Sequence, residues 1–392
     1  MQSFTFRLPT NIHFGVGAID ALGKEAASLG KRALLVYGGG SIKRNGVYDA
    51  VRSQLESVGI EIIEYPGVRP NPLLSHADEG ARIAREANAD LVVATGGGSV
   101  IDEAKAIAAG AHEGGALWDF YIRTRRITGA LPILAVQTLP ASSSETNMAG
   151  VITNDETREK FSIRSPHICP RAAFLDPSVT TTIPLQYTAY ACTDILSHVM
   201  EGYFTTTDPW APVQDGMVEG LSRAVIDSMD RLLADPADLD ARAAVMWAGA
   251  LAWSGLMNAG VRGASIPVHM IEHPLSAHYD IAHGAGLSIV IPAWLRYVRD
   301  RIPERIVRFG REILRLGDAL DGSNTPDQAD IVIAALVEWY RSIGTPVTFA
   351  QGGLTNVDVD ACTAQAIALG KLWGVPGHSE SDIRAVYALC TG

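Results

Sequence analysis

The first half of the chain alternates short apolar segments with longer amphipathic ones. Helical periods lie near residues 46–58 and 75–88 and again after residue 99. Residues 3–7 alternate between apolar and polar and predict an edge strand. The segments with the length and flanking glycines of buried strands are 32–37, 60–65, 90–95 and 131–137. Strands that alternate with helices are typical of a parallel sheet with helices on both faces.

From Pro184 onward the apolar positions recur at helical spacing and strand signals nearly vanish. We therefore expect an α/β domain over residues 1–180 and an all-helical domain over residues 181–392, with the active cleft between them. The length of 392 residues agrees with two domains, because it exceeds the range over which one hydrophobic core keeps growing.

Composition and charge narrow the classes of partner. The chain is 47% hydrophobic, carries a formal net charge of -11 and has no cluster of lysines and arginines, which argues against nucleic acid and membrane partners. Its four cysteines are scattered and predict no disulfide framework. We find neither a secretory signal pattern nor an apolar run of about 18 residues, so we expect a cytoplasmic protein.

Candidate chemistry begins with the histidines, four of which lie between residues 269 and 283. Upstream, Asp194 and His198 are four residues apart, which on a helix places both side chains on one face. Together with two of the later histidines they would form a mixed oxygen and nitrogen ligand set for a first-row divalent ion. An isolated Asp/His pair at this spacing is more often a hydrogen-bonded surface or core pair, so the metal hypothesis depends on the clustering.

Two of the predicted strands run into the sequence Gly-Gly-Gly-Ser, at residues 38–41 and 96–99. Ligands of open α/β sheets bind at the carboxyl ends of strands, where glycines let a phosphate approach the backbone at the start of the next helix. A third strand ends in the Ser/Thr-rich segment 138–146. Each glycine run alone fits a tight turn equally well, and neither is the Gly-x-Gly-x-x-Gly fingerprint. The three loops together favour a nucleotide site.

These motifs resemble those of the iron-containing (group III) alcohol dehydrogenase family, over essentially the whole chain. The resemblance rests on 96–105 (GGGSVIDEAK), 138–145 (TLPASSSE), Asp194-x-x-x-His198 and His269-x-x-x-His273 followed by His283-Gly284. Segment 37–43 (YGGGSIK) is similar to that of the NADPH-dependent butanol dehydrogenases and broad-range aldehyde reductases. The implied fold is dehydroquinate synthase-like, with a Rossmann-like parallel-sheet domain followed by an all-helical domain.

The resemblance implies a metal site and a proton-transfer residue. The implied metal ligands are Asp194, His198, His269 and His283. Iron, zinc and manganese occur in the family, and this donor set does not decide between them. His273 matches a family histidine near the nicotinamide, and we expect it to relay the proton as a catalytic residue, the alternative being a structural histidine. His278 has no such counterpart and is expected at the surface or in a loop.

The resemblance also implies a dinucleotide site in the first domain. The matching cofactor-binding residues are Gly97, Gly98, Ser99, Asp102, Thr138, Leu139, Ser142, Asn147 and Lys160. NAD-preferring relatives carry an aspartate after the first strand, where this chain has Gly39, flanked by Ser41 and followed by Lys43 and Arg44. A neutral, donor-rich loop with nearby cations tolerates a phosphate charge of about −2, so we expect NADP(H) rather than NAD(H). The alternative is that the two cations are simply solvated.

The implied activity is oxidation of a small primary alcohol or reduction of an aldehyde, by a metal- and NAD(P)-dependent homodimer that pairs through residues 4–8. One alternative is a dehydroquinate synthase-type lyase. It would need several lysines and arginines near the metal, where segments 184–204 and 260–285 offer only Arg262. Another is a non-enzymatic metal- or nucleotide-binding protein, which an incomplete ligand set would favour.

Overall fold

The computed structural model describes residues 1–392 and divides into two compact units. The sheet unit consists of Arg7–Ile183 and Ala237–Ser254. The helical unit consists of Met1–Phe6, Pro184–Pro236 and Gly255–Gly392.

Eight strands are present, all of them in the sheet unit. They are β1 Asn11–Phe14, β2 Arg32–Tyr37, β3 Glu61–Pro66, β4 Leu91–Gly96, β5 Ile133–Gln137, β6 Ala149–Asn154, β7 Glu159–Arg164 and β8 Ala172–Leu175. Six form a parallel sheet in the order β1-β8-β5-β4-β2-β3, and β6 pairs with β7 in a separate antiparallel ribbon. Strands β4 and β5 are buried throughout, which explains their continuous apolar sequences.

Fifteen α-helices complete the structure. They are α1 Leu22–Ala27, α2 Ser41–Arg44, α3 Val47–Ser57, α4 Leu74–Glu86, α5 Gly98–Glu113, α6 Trp118–Tyr121, α7 Leu185–Thr205, α8 Pro212–Ala234, α9 Leu239–Ala252, α10 Pro267–Tyr279, α11 His283–Val298, α12 Pro303–Glu312, α13 Pro326–Ser342, α14 Val359–Trp373 and α15 Glu380–Leu389. Helices α1–α6 and α9 belong to the sheet unit, and the other eight form the helical unit. None of them is both long and apolar enough to cross a lipid bilayer.

Local sequence explains where the helices of interest begin. Helix α10 begins at Pro267, whose fixed φ suits the first turn and whose missing N–H would have no partner there. Helix α9 is capped by Asp238, which accepts a hydrogen bond from Ala241 N at 3.0 Å.

The predicted fold class is confirmed: a parallel α/β sheet precedes an extended all-helical region. The edge strand predicted at residues 3–7 is wrong for the single chain, where residues 1–10 have no regular structure. An isolated extended segment needs a neighbouring strand for its backbone groups. The edge position of the sheet is taken by β1, which pairs with β8.

Candidate active site

The four predicted metal ligands meet at one point in the helical unit. Helix α7 presents Asp194 and His198 one turn apart, while α10 supplies His269 and α11 begins with His283. The distances from Asp194 Oδ1 are 3.4 Å to His198 Nδ1, 3.6 Å to His269 Nε2 and 3.7 Å to His283 Nε2.

This geometry fits a divalent cation. Donor atoms about 2.1 Å from a tetrahedrally bound ion lie about 3.4 Å apart, close to the observed separations. Asp194 Oδ1 and His269 Nε2 are buried and make no hydrogen bond. Leaving a buried polar atom unpaired costs about 1–3 kcal/mol, which coordination to a cation would offset.

The charged groups of the cluster shift one another's pKa values. Burial acts to raise the pKa of Asp194, but the facing imidazoles hold it well below its usual range, so the carboxylate is ionised. Burial lowers the pKa of His198 to about 3, which leaves this imidazole neutral at pH 7. Burial opposes a charge on His269, but the carboxylates of Glu201 and Asp194 outweigh it and raise its pKa to about 10. Metal binding would therefore displace a proton from His269.

Two buried glutamates that the sequence analysis did not single out support the ligands. Glu201 Oε1 accepts a hydrogen bond from His269 Nδ1, and Glu272 Oε2 accepts one from His283 Nδ1 at 2.5 Å. Each imidazole that donates through Nδ1 keeps Nε2 for the site. A signal was available for Glu201, which lies three residues after His198 and so on the same face of α7.

Glu272, His273 and His283 form a second group of potential ligands, with atoms within 4.8 Å of one another. Within this group His283 Nδ1 is already hydrogen-bonded to Glu272 Oε2. This group therefore supports the first site rather than forming another.

His273 lies beside the ligands. Its ring centroid is 5.4 Å from that of His283 and 5.0 Å from the edge-on ring of Trp373. The imidazole is buried, one helical turn beyond His269. His278 lies in the last turn of α10 and not in a loop, and it is half-buried.

Two glycines let the ligand helices approach one another. A Cβ at Gly284 would lie 2.1 Å from the carbonyl oxygen of Tyr190 on α7. A Cβ at Gly286 would lie 2.3 Å from Glu272 Oε1. A side chain at Gly284 would move α11, which carries His283, so packing explains the His-Gly sequence. A side chain at Gly286 would displace the carboxylate of Glu272.

In the sheet unit, the second glycine run meets the Ser/Thr-rich loop at the start of α5. A Cβ at Gly98 would lie 2.3 Å from Ser142 Oγ, and one at Gly97 would lie 3.1 Å from Leu139 Cβ. Thr138 N donates to Gly96 O at 3.0 Å. Gly97, Gly98 and Ser99 are half-buried and lie at the N-terminus of α5, a 16-residue helix. The backbone N–H groups of this first turn can bind an anion.

A buried polar network holds this loop. Asp102 accepts from Ser144 Oγ at 2.5 Å and from Val151 N at 3.1 Å. Lys105, which the sequence analysis did not single out, is fully buried and donates to Asn147 Oδ1 at 2.9 Å. The carboxylate of Asp102 is thus engaged within the protein.

Two further predicted cofactor residues, Asn147 and Lys160, make hydrogen bonds within the protein. Asn147 Nδ2 donates to Ser142 O at 3.1 Å. The ammonium of Lys160 donates to Asn71 Oδ1 at 2.9 Å. Both side chains are almost fully buried, so their conformations are fixed by the protein.

The first glycine run lies in a different environment. Gly39 and Ser41 are exposed, and a Cβ at Gly39 would meet nothing within 4 Å. The ammonium of Lys43 lies over the ring of Tyr48, 4.5 Å from its centroid, and 5.1 Å from that of Tyr37. The loop thus carries no acidic side chain, and a cation is packed directly behind it.

Comparison with known proteins identifies the family. The model "Iron-containing alcohol dehydrogenase" matches residues 9–177, and the model "Fe-containing alcohol dehydrogenase family, C-terminal" matches residues 188–388. The chain is 38% identical to a probable NADH-dependent butanol dehydrogenase 1 of Bacillus subtilis, covering 98% of this chain and 99% of that protein. It is 33% identical to the NADPH-dependent aldehyde reductase YqhD of Escherichia coli, covering 92% of each.

Solved structures agree. A crystal structure of NADH-dependent butanol dehydrogenase A from Thermotoga maritima superposes with a TM-score of 0.94 at 37% identity, covering 100% of this chain and 99% of that one. The sequence motifs, the fold and both family models lead to the same assignment: this chain belongs to the iron-containing alcohol dehydrogenase family.

Proposed function

We propose that the chain is a metal- and NAD(P)-dependent alcohol dehydrogenase or aldehyde reductase. When bound, a nicotinamide cofactor would supply or accept the hydride that interconverts a small aldehyde and the corresponding primary alcohol. The observation that carries this proposal is the convergence of three histidines on Asp194 Oδ1, at 3.4 to 3.7 Å.

The four converging side chains would hold one divalent ion, which we propose to be iron or zinc, or alternatively manganese. When bound, such an ion supplies Lewis acidity to the substrate oxygen. The residues' own contribution is to fix the donors in advance: Asp194 remains ionised, and the imidazoles of His269 and His283 are oriented by Glu201 and Glu272.

His273 is our candidate for the proton-transfer residue. It is buried next to the ligand set without belonging to the group around Asp194. An imidazole can both donate and accept a proton, so His273 can give a proton to the product alkoxide during aldehyde reduction and take it back in the reverse direction.

For the dinucleotide we propose residues 1–180 as the binding domain and residues 181–392 as the metal- and substrate-binding domain. The N-terminus of α5, at Gly97, Gly98 and Ser99, suits the pyrophosphate. The remaining cofactor contacts we propose are Gly39, Ser41, Asp102, Thr138, Leu139, Ser142, Asn147 and Lys160.

We propose NADP(H) as the preferred cofactor, although one of the relatives is named for NADH and another for NADPH. The support for NADP(H) comes from the side chains in and next to the loop at Gly39. The loop at Gly39 bears no carboxylate that would repel a 2′-phosphate, and Lys43 lies just behind it.

We also propose a cytoplasmic homodimer. The four cysteines are all buried free thiols, as expected in a reducing compartment. Residues 4–8 form no regular secondary structure and include the exposed Phe4 and Phe6, which a second copy could cover.

The test is reconstitution. Metal-free protein is loaded with Fe²⁺, Zn²⁺ or Mn²⁺, and oxidation of NADPH and NADH is followed with short aldehydes such as butanal. Asp194→Asn should lose both bound metal by elemental analysis and activity, whereas His278→Ala, on the same helix as two site histidines, should keep its metal. Absence of aldehyde-dependent oxidation with every metal would refute the proposal.

The two alternatives are less well supported. The relatives reported above are dehydrogenases and a reductase, not lyases. A non-enzymatic binding protein would not need the complete ligand set that the helical unit brings together.

A further inference from the structure

Two buried carboxylates cross-link the three helices that carry the candidate metal ligands. Glu201 joins α7 to α10, and Glu272 joins α10 to α11. Their side chains are 2% and 0% exposed, respectively, so both charges are shielded from water and need partners inside the protein.

Glu201 accepts hydrogen bonds both from the imidazole of His269 and from the backbone at the N-terminus of α10. Its Oε2 accepts from Val268 N at 2.6 Å and from His269 N at 3.3 Å, and its Oε1 accepts from His269 Nδ1. These N–H groups belong to the first turn of α10, where no helical carbonyl is available. A carboxylate is also favoured there by the helix dipole. Glu201 thus fixes the backbone and the imidazole of His269 together.

Glu272 holds the other candidate ligand, His283, in a similar way. Its Oε2 accepts from His283 Nδ1 and its Oε1 accepts from Ser276 Oγ, both at 2.5 Å. The absence of a side chain at Gly286 leaves space for this carboxylate, since a Cβ there would lie 2.3 Å from Oε1. The carboxylate is therefore held in one orientation by packing as well as by hydrogen bonds.

We propose that Glu201 and Glu272 are positioning residues that set the metal affinity of the site by holding His269 and His283 with Nε2 directed at the ion. This inference rests on the metal site of the proposed function. Without an anionic acceptor at Nδ1, each imidazole is free to exchange tautomers and to rotate about its side-chain bonds, so the ligand set is no longer preorganised. Outer carboxylates of this kind typically change metal affinity by about 10- to 100-fold.

The experiment uses the full-length protein with Glu201→Gln and Glu272→Gln, which keep the side-chain shape and remove the charge. Glu219→Gln is the matched control, because Glu219 is also buried in the helical unit but pairs with Tyr203 and Arg308. The dissociation constant for Co²⁺ is measured by competition with a chelating indicator, together with the visible absorption spectrum of the bound Co²⁺. Thermal unfolding of the metal-free proteins is measured in parallel.

We expect both site variants to bind Co²⁺ about 10- to 100-fold more weakly and with an altered spectrum, while Glu219→Gln keeps the parent affinity and spectrum even if it unfolds at a lower temperature. Unchanged affinity and spectra in Glu201→Gln and Glu272→Gln would overturn the inference. If Glu201→Gln does not fold, because it also loses an acceptor for backbone N–H groups, Glu272→Gln decides alone. A parent protein that binds no Co²⁺ would instead refute the proposed metal site.

Discussion

Gly284 packs against the carbonyl oxygen of Tyr190 so closely that a Cβ would lie 2.1 Å from it. We predict that Gly284→Ala lowers the free energy of unfolding by about 1–3 kcal/mol and weakens metal binding, because α11 must move and takes His283 with it. Denaturant unfolding and metal titration measure the two effects.

Gly216→Ala is the control for that substitution. Gly216 lies in α8, where a Cβ would meet nothing within 4 Å, so the alanine should be neutral or stabilise the helix by up to about 1 kcal/mol. A Gly284→Ala protein as stable as its parent, with unchanged metal affinity, would contradict the close approach of the two helices.

Removing the candidate proton-transfer residue should affect chemistry and leave the metal in place. We predict that His273→Ala lowers kcat by about 10²- to 10⁴-fold and changes the shape of the pH–rate profile, since a general acid and base is lost. Metal content by elemental analysis should match that of the parent. Full activity with an unchanged pH profile would remove His273 from the mechanism.

Cofactor preference should respond to one substitution in the first glycine loop. Gly39→Asp places a carboxylate in open space, and we predict that it lowers the ratio of kcat/KM for NADPH over NADH by about 10-fold or more through repulsion of the 2′-phosphate. Affinities for 2′,5′-ADP and 5′-ADP test the same effect without turnover.

Ser41→Ala removes a neighbouring hydroxyl without adding charge and serves as the control for the loop, with a smaller expected change in the cofactor ratio. A parent enzyme that is equally or more efficient with NADH would refute the NADP(H) preference. In that case Gly39→Asp would also leave the ratio of the affinities for 2′,5′-ADP and 5′-ADP near one.

Lys105 gives a prediction for pH. Burial lowers the pKa of its ammonium group to about 8, from an ordinary value of 10.5. Between these pH values the unfolded chain binds more protons at this site than the native protein, so the contribution of Lys105 to stability rises with pH in that window.

The comparison with Lys105→Met isolates this contribution. The free energy of unfolding of the parent minus that of the variant should increase from about pH 8 to pH 10.5. The variant should also bind the dinucleotide more weakly, because Asn147 loses the donor that holds it. Stability curves that stay parallel over this range would contradict the burial of the charge.

The sequence predicted the side chains that converge on Asp194 better than it predicted the glutamates that hold them. Asp194 and His198 stand out because a four-residue spacing on a helix is a local property. Glu201 lies on the same face of α7, but glutamates on helices are usually solvated. Its burial depends on α10, which lies far along the chain.

The same limit applies to the fold. The strongly apolar strands were predicted, but β1 and β8 have four residues each and pair with one another only through the fold. Helix α9 has a clear helical period, and yet it packs within the sheet unit, where Ser143 Oγ donates to Gly249 O. Periodicity predicts the type of an element and not the elements against which it packs.

The contrast between Gly39 and Gly98 bears on how such an enzyme can diverge. A side chain at Gly98 would have to displace the Ser142 hydroxyl, so a substitution there disturbs the packing of the loop. Gly39 faces open space and does not adopt a positive φ, so most residue types can be sampled there without repacking. Under the proposed cofactor site, a single substitution at Gly39 would change the preferred dinucleotide while the rest of the fold stays unchanged.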